Sequence, residues 1–202
     1  MSDTVNEALL ARLILAEKVA RAGGEKALEY FHHRDTLVVE TKYDLQDVVS
    51  RADREVEQMI DQQIRAQFAD DGFLGEEFGL QEGTSGYTWV VDPIDGTSPF
   101  LNGMPNWCVS VAVLHDGVPV IGVIYAPTYQ ECYVAALGQG ATLNGRRLQV
   151  DPTRTLQNHV TGCGANSHVS PAEVGKLLAS LLAAGGNFTP MCACSLMLGW
   201  GA

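Results

Sequence analysis

Two carboxylates, Asp92 and Asp95, close the apolar run Trp89-Val90-Val91. The run reads as a short buried strand. Pro93 should end its ladder, and Asp95-Gly96 should turn the chain. Ser98-Pro99 has the pattern of a helix start, with serine at the N-cap and proline at the first helical position. The carboxylates therefore stand in a strand-to-helix elbow into which a helix N-terminus points free N–H groups. Carboxylates hold a hard cation and free amides hold an anion. A site offering both suits a metal-bound phosphate.

The elements that must carry this elbow are legible around it. Residues 4–31 read as an amphipathic helix or pair of helices. Leu9, Leu13, Ala16 and Ala20 recur at helical spacing, Leu10 and Ile14 lie beside them, and Gly23-Gly24 is a candidate break. Thr36 to Glu40 reads as a strand. A second helix has the stripe Val56, Met59, Ile60, Ile64 and Phe68. Ser50 and Asp53 at its start fit an acidic capping pattern, and spacing alone leaves Asp53 open to a capping or a catalytic role. Residues 78–87 read as a loop. Val109–Leu114 and Val118–Ile124 flank Asp116-Gly117, a two-residue hairpin signal, and Glu131–Ala136 and the strands around Asn144-Gly145 continue the series. The expectation is an α+β fold with an antiparallel sheet covered by the two earlier helices. A boundary near Asp151-Pro152 separates residues 1–151, carrying the elbow, from residues 152–202. Beyond it come a strand at Asn158–Cys163, a loop at Gly164-Ala165-Asn166, and a capping box at Ser170-Pro171-Ala172-Glu173. That helix runs to Ala184 and stops at Gly185-Gly186, as part of an incomplete second α/β layer.

The stretch Asp92-Pro93-Ile94-Asp95-Gly96-Thr97 resembles the signature of the inositol monophosphatase superfamily of magnesium-dependent phosphomonoesterases. The resemblance implies a layered αβαβα sandwich and assigns further residues. Lys42, Asp47 and Asp53 match a Lys, an Asp and an Asp of the family. Lys42 is thereby a substrate contact, and Asp53 is the partner of Thr97. Gly75-Glu76-Glu77 matches a Gly-Glu-Glu whose first glutamate binds metal, which leaves Glu77 as a supporting or surface residue. The implied metal ligands are Glu76, Asp92, Asp95 and the backbone carbonyl of Ile94. Such an all-oxygen set favours two or three Mg2+ ions, or Mn2+, over zinc. Asp92 could bridge two ions, and two metals about 3.5–4 Å apart clamp an in-line phosphoryl displacement. Glu76 then stands beside a metal-activated water that Thr97, polarised by Asp53, orients and deprotonates. Asp95 and its metal stabilise the leaving alkoxide, and the amides of Gly96 and Thr97 cradle the phosphate.

The chain departs from the family pattern in three places. Ser98-Pro99-Phe100 stands where relatives have a polar residue and Asn-Phe. Met191-Cys192-Ala193-Cys194-Ser195 stands where they have small Gly-Ser/Thr-Ala residues before a helix. The family also supplies one more metal-binding Asp, in a Trp-Asp motif, and no such motif follows Thr97 in these 202 residues. The expectation is a truncated form whose second metal site lacks a ligand, unless another chain supplies it or the site works with fewer.

Composition bounds the rest. With 46% hydrophobic and 18% charged residues, the chain has the makeup of a globular protein with a real core. Its longest apolar runs are too short to span a bilayer, and Met1-Ser2-Asp3-Thr4 lacks the start of a signal peptide, so no membrane partner and a cytoplasmic location are expected. The formal charge of −11 argues against nucleic acid as a partner. Five cysteines and five histidines show neither a disulfide framework nor ligand spacing. All five thiols are expected to be reduced, and the histidines to sit on surfaces or loops. A homodimer acting on a small phosphorylated metabolite is the family-based expectation. The substrate is an inositol-phosphate-like polyol or a sugar phosphate, with a 3′-phosphonucleotide or histidinol phosphate as alternatives. A catalytically weak metal-binding or dimerisation module is the reading from a different class.

Overall fold

The computed structural model describes residues 2–36, 39–41, 48–165 and 169–202, with side chains for 7–35, 51–165 and 169–202. The first element is a single helix, α1 (Ser2–His32). Gly23-Gly24 does not break it. A Cβ on Gly23 would lie 2.9 Å from Ile60 Cδ1, and one on Gly24 would lie 2.3 Å from the Tyr125 ring. The two glycines let the helix press against its neighbours. The buried stripe is Leu15, Ala16, Val19, Ala20 and Ala27, with Leu9 and Leu13 partly buried beside it. Leu10 and Ile14 point outward, against the expectation, because they sit about 100° round the helix from Leu9 and Leu13.

A short strand pair follows, β1 (Val39–Thr41) and β2 (Val48–Ser50), antiparallel. The strand expected over Thr36–Glu40 is thus displaced, with Thr36 ending a 3-10 turn. Next comes α2 (Arg51–Gln67), whose Val56, Ile60 and Ile64 are fully buried while Met59 is half-buried. The main sheet contains β3 (Gly72–Gly75), β4 (Gly79–Gln81), β5 (Tyr87–Asp95), β6 (Cys108–His115), β7 (Val118–Ala126), β8 (Glu131–Ala136), β9 (Gly140–Leu143) and β10 (Arg146–Arg147). Their spatial order is β10-β9-β8-β7-β6-β5-β3-β4. Neighbours are antiparallel except β3 and β5, which run parallel, so the sheet is mixed. Strand β4 falls inside the stretch read as a loop. It is only three residues long, too short for period-2 alternation to register. Both glycine turns are as expected, with Asp116-Gly117 and Asn144-Gly145 all at positive φ.

Helices α1 and α2 cover one face of this sheet and share a core with Trp89, Val91, Val109, Val111, Val113, Ile121 and Val123. Asp71, just before β3, ties α1 to the sheet. It takes a bidentate pair from Arg12 at 2.7 and 2.8 Å and further hydrogen bonds from Trp89 Nε1 and Ser85 Oγ. Past the sheet lie β11 (Val160–Cys163), α4 (Pro171–Ala183) and β12 (Asn187–Pro190), with β11 and β12 parallel. Ser170 is the N-cap of α4 with Pro171 following, but its side chain makes no capping bond. The last helix, α5 (Cys194–Trp200), packs on the other face of the sheet through Leu196. Trp200 Nε1 anchors its end to Glu131. No helix among the described residues is long and apolar enough to cross a membrane.

Candidate active site

Strand β5 runs past Pro93 instead of stopping there. Asp92 pairs with Ser110 and Asp95 with Cys108, so β5 carries one extra residue between them. This bulge accommodates a proline, which has no N–H for the ladder. The Ile94 N–H donates to Asp92 Oδ1 at 3.1 Å, closing a small turn that aims the aspartate. The chain then turns at Gly96, which has φ 98°. A Cβ at that position would lie 2.9 Å from Asn106 O and 3.1 Å from Ala193 Cβ, so conformation and space both demand glycine. Helix α3 (Thr97–Leu101) begins immediately, capped by Gly96 rather than by Ser98. The positive-φ turn starts the helix before the serine is reached.

Thr97 Oγ1 lies 3.4 Å from Asp53 Oδ1 and 3.2 Å from Ile94 O. The hydroxyl has one proton, which either oxygen can accept. Asp53 is 1% exposed on the first turn of α2. Asp53 is thus within reach of Thr97; its capping alternative also involves Ser50, whose side chain is not among those described.

Glu76 follows the last residue of β3, and its N–H reaches Val91 O at 3.2 Å, which fixes it beside β5. Its carboxylate is exposed and hydrogen bonds with Asp92. Burial, then the charges of Glu76 and Asp95, push the Asp92 carboxyl well above the ordinary carboxylate range. The turn carrying Glu76 is held from below by Glu57. That buried side chain accepts the N–H groups of Glu77 at 2.8 Å and Phe78 at 3.0 Å. Burial raises the Glu57 carboxyl as well.

Asp95 is 8% exposed and accepts three hydrogen bonds. The Cys194 N–H reaches Oδ1 at 3.1 Å, the Ser195 N–H reaches Oδ2 at 2.6 Å, and Cys108 Sγ lies 3.6 Å from Oδ2. A carboxylate has about four acceptor positions, so one remains open.

The structure thus brings together Glu76 with Asp92, and Thr97 with Asp53 and the Ile94 carbonyl, while α5 holds Asp95. Lys42 and Asp47 lie outside the described residues. As the side chains stand, no three His, Cys, Asp or Glu among the described residues converge on one point. The donor set nevertheless fits a hard divalent cation. It is all oxygen, and burial, then repulsion from two neighbouring carboxylates, favours a proton on Asp92. A cation in the proton's place would relieve that repulsion.

Three contributors were not foreseen: Glu57, Cys108 and the amides of α5. Glu57 did leave a signal. Asp53, Glu57, Ile60 and Ile64 recur at spacings of four, three and four, which puts two carboxylates in line with the apolar stripe of α2. Cys108 and the α5 amides left none, since a lone cysteine in a β-rich run and a backbone N–H look the same wherever they occur. All five cysteines are free, as expected.

A profile of the inositol monophosphatase family matches residues 10–198. A protein of Xylella fastidiosa described as Nus factor SuhB is 37% identical over 164 residues, covering 81% of this chain and 58% of its own length. The inositol-1-monophosphatase of Rhizobium meliloti is 38% identical over 169 residues, covering 83% and 62% respectively. The crystal structure of extragenic suppressor protein suhB from Bartonella henselae superposes with a TM-score of 0.88 at 31% identity, over 95% of this chain and 74% of that one. The chain therefore spans less than two thirds of the length of these two curated relatives.

Proposed function

This chain belongs to the inositol monophosphatase family, and on that premise we propose that it hydrolyses a small phosphate monoester with magnesium or manganese. The observation that carries the reading is the meeting of Glu76 and Asp92 beside the Thr97–Asp53 pair at one bulged elbow. Glu76, Asp92, the Ile94 carbonyl and the open position on Asp95 would hold two or three divalent ions. Bound there, the ions supply a water of lowered pKa and charge neutralisation at the phosphoryl group.

The chain's own groups then have distinct tasks. Thr97 Oγ1 turns a lone pair toward the attacking water and orients it, and as it takes a proton from that water it passes its own to Asp53 Oδ1. Asp95, held by the α5 amides, lies on the leaving-group side, where a cation at its open position would stabilise the leaving alkoxide. The amides of Gly96 and Thr97 face the phosphate oxygens. Lys42 is a substrate contact on the strength of the family match. The substrate is an inositol-phosphate-like polyol or sugar phosphate, with a 3′-phosphonucleotide or histidinol phosphate as alternatives. A net charge of −11 supports a small metabolite over direct contact with nucleic acid. Homodimerisation and a cytoplasmic location complete the proposal.

A second reading is a binding module with weak or no catalysis. It is favoured by the description Nus factor SuhB on a relative 37% identical over 164 residues. Phosphate release from a panel of small phosphomonoesters, with and without MgCl2, separates the two. Turnover that requires magnesium and is lost in Asp95→Asn supports the phosphatase. Magnesium-dependent stabilisation without turnover supports the module.

A further inference from the structure

We propose that Cys108 is a positioning residue, whose thiol donates to Asp95 Oδ2 and aims that carboxylate at the bound cation; the role rests on the phosphatase reading above. Three observations converge on it. The bulge in β5 shifts the ladder so that Cys108, rather than Trp107, faces Asp95 across the sheet. Cys108 is completely buried and its sulfur lies 3.6 Å from Oδ2. The other two donors to Asp95 are backbone amides of α5, which no side-chain change can tune.

The thiol therefore decides how the carboxylate sits. The Ser195 N–H and the Cys108 S–H both reach Oδ2, while the Cys194 N–H alone reaches Oδ1. With about two acceptor positions per oxygen, Oδ2 is filled and Oδ1 keeps one open. Asp95 thus presents a single oxygen to a cation. Removing the thiol frees a position on Oδ2 and lets the carboxylate rotate about its last bond. A cysteine that only filled space would leave this choice unaffected.

Two measurements on the full chain test the role. In the infrared spectrum, the S–H stretching band that disappears in Cys108→Ser is expected to lie below that of a free thiol and to move up in Asp95→Asn. A band that stays put in Asp95→Asn overturns the contact, whether or not the protein is a phosphatase. Calorimetric titration with MgCl2 then compares variants. Cys108→Ala is expected to weaken magnesium binding about tenfold, the effect of losing one hydrogen bond to a charged acceptor. Cys108→Ser, which keeps a donor, is expected to restore binding to within about threefold of wild type. Equal affinities in wild type and Cys108→Ala overturn the positioning role, as do equal losses in Cys108→Ala and Cys108→Ser. Absence of magnesium binding by the wild type overturns the metal-site reading and the positioning role with it, while the band still reports the contact.

Discussion

Replacing Gly75 with alanine tests how Glu76 is held. Gly75 is not in the positive-φ region, so its backbone accepts a side chain. Taken alone, glycine to alanine would stabilise by about 0.4–1 kcal/mol through the unfolded chain. The native surroundings reverse the sign. The new Cβ would lie 1.8 Å from Glu57 Oε1 and 2.2 Å from its carboxyl carbon. The carboxylate must retreat by over an ångström, and its bonds to the Glu77 and Phe78 amides, at 2.8 and 3.0 Å, cannot survive. Each hydrogen bond to a charged group contributes about 1.5–3 kcal/mol. Glu77 is half-buried and Phe78 exposed, so water recovers part of the loss. A net destabilisation of about 2–3 kcal/mol follows, a fall in Tm of about 5–10 °C for a chain of this size. Urea unfolding at constant m-value measures it. In a Glu57→Ala background the clash is gone, and Gly75→Ala should become neutral or slightly stabilising. A stabilised or unchanged Gly75→Ala in the native background would refute the anchoring of the Glu76 turn by Glu57.

Other expectations follow from the same geometry. Thr97→Ala should lower kcat by about tenfold to a hundredfold with little change in KM, while Thr97→Ser keeps most of the rate; a change confined to KM would contradict the proton role. Asp92 is raised by burial and by neighbouring carboxylates. Its contribution to metal-free stability is therefore present below the ordinary carboxylate range and lost as pH rises through its raised value. MgCl2 should stabilise increasingly over that window, and Asp92→Asn should flatten the trend, as read from Tm against pH with and without the salt. Arg12→Met should destabilise by about 3–5 kcal/mol, because it leaves Asp71 buried without its cation. Burial opposes the Asp71 charge, but hydrogen bonds from Arg12, Ser85 and Trp89 outweigh it and hold the carboxyl below its usual range. The stability due to Asp71 is thus present above that range and is lost as pH falls through the depressed value, a trend Arg12→Met should weaken.

Local chemistry made much of this protein readable from its residues. Asp116-Gly117 and Asn144-Gly145 specify tight hairpins because few other residues accept two successive positive φ values. The stripe Val56, Ile60 and Ile64 specifies α2 because a helix repeats every 3.6 residues. The Asp92–Thr97 stretch carries the resemblance to the inositol monophosphatase family, whose profile matches residues 10–198. Where partners lie far apart in the chain, nothing local predicts the outcome. Gly23-Gly24 looks like a break until Ile60 and Tyr125 are seen against it. Strand β4 exists because β3 offers it an edge. The parallel β3–β5 pair follows from how the chain crosses between them, not from the composition of either strand.

The kinds of group in the site were set by the sequence alone: four oxygen-bearing acids, a hydroxyl and a glycine elbow within reach of a helix start. Their arrangement was decided by tertiary structure. One extra residue in β5 places Asp95 opposite Cys108, and the start of α5, about a hundred residues later, closes on the same carboxylate. Residue types define which contacts are chemically possible. Only the packing of the sheet between α1, α2 and α5 brings distant donors within 3 Å or so of a given oxygen, because hydrogen bonds act over that distance and carry no memory of separation along the chain.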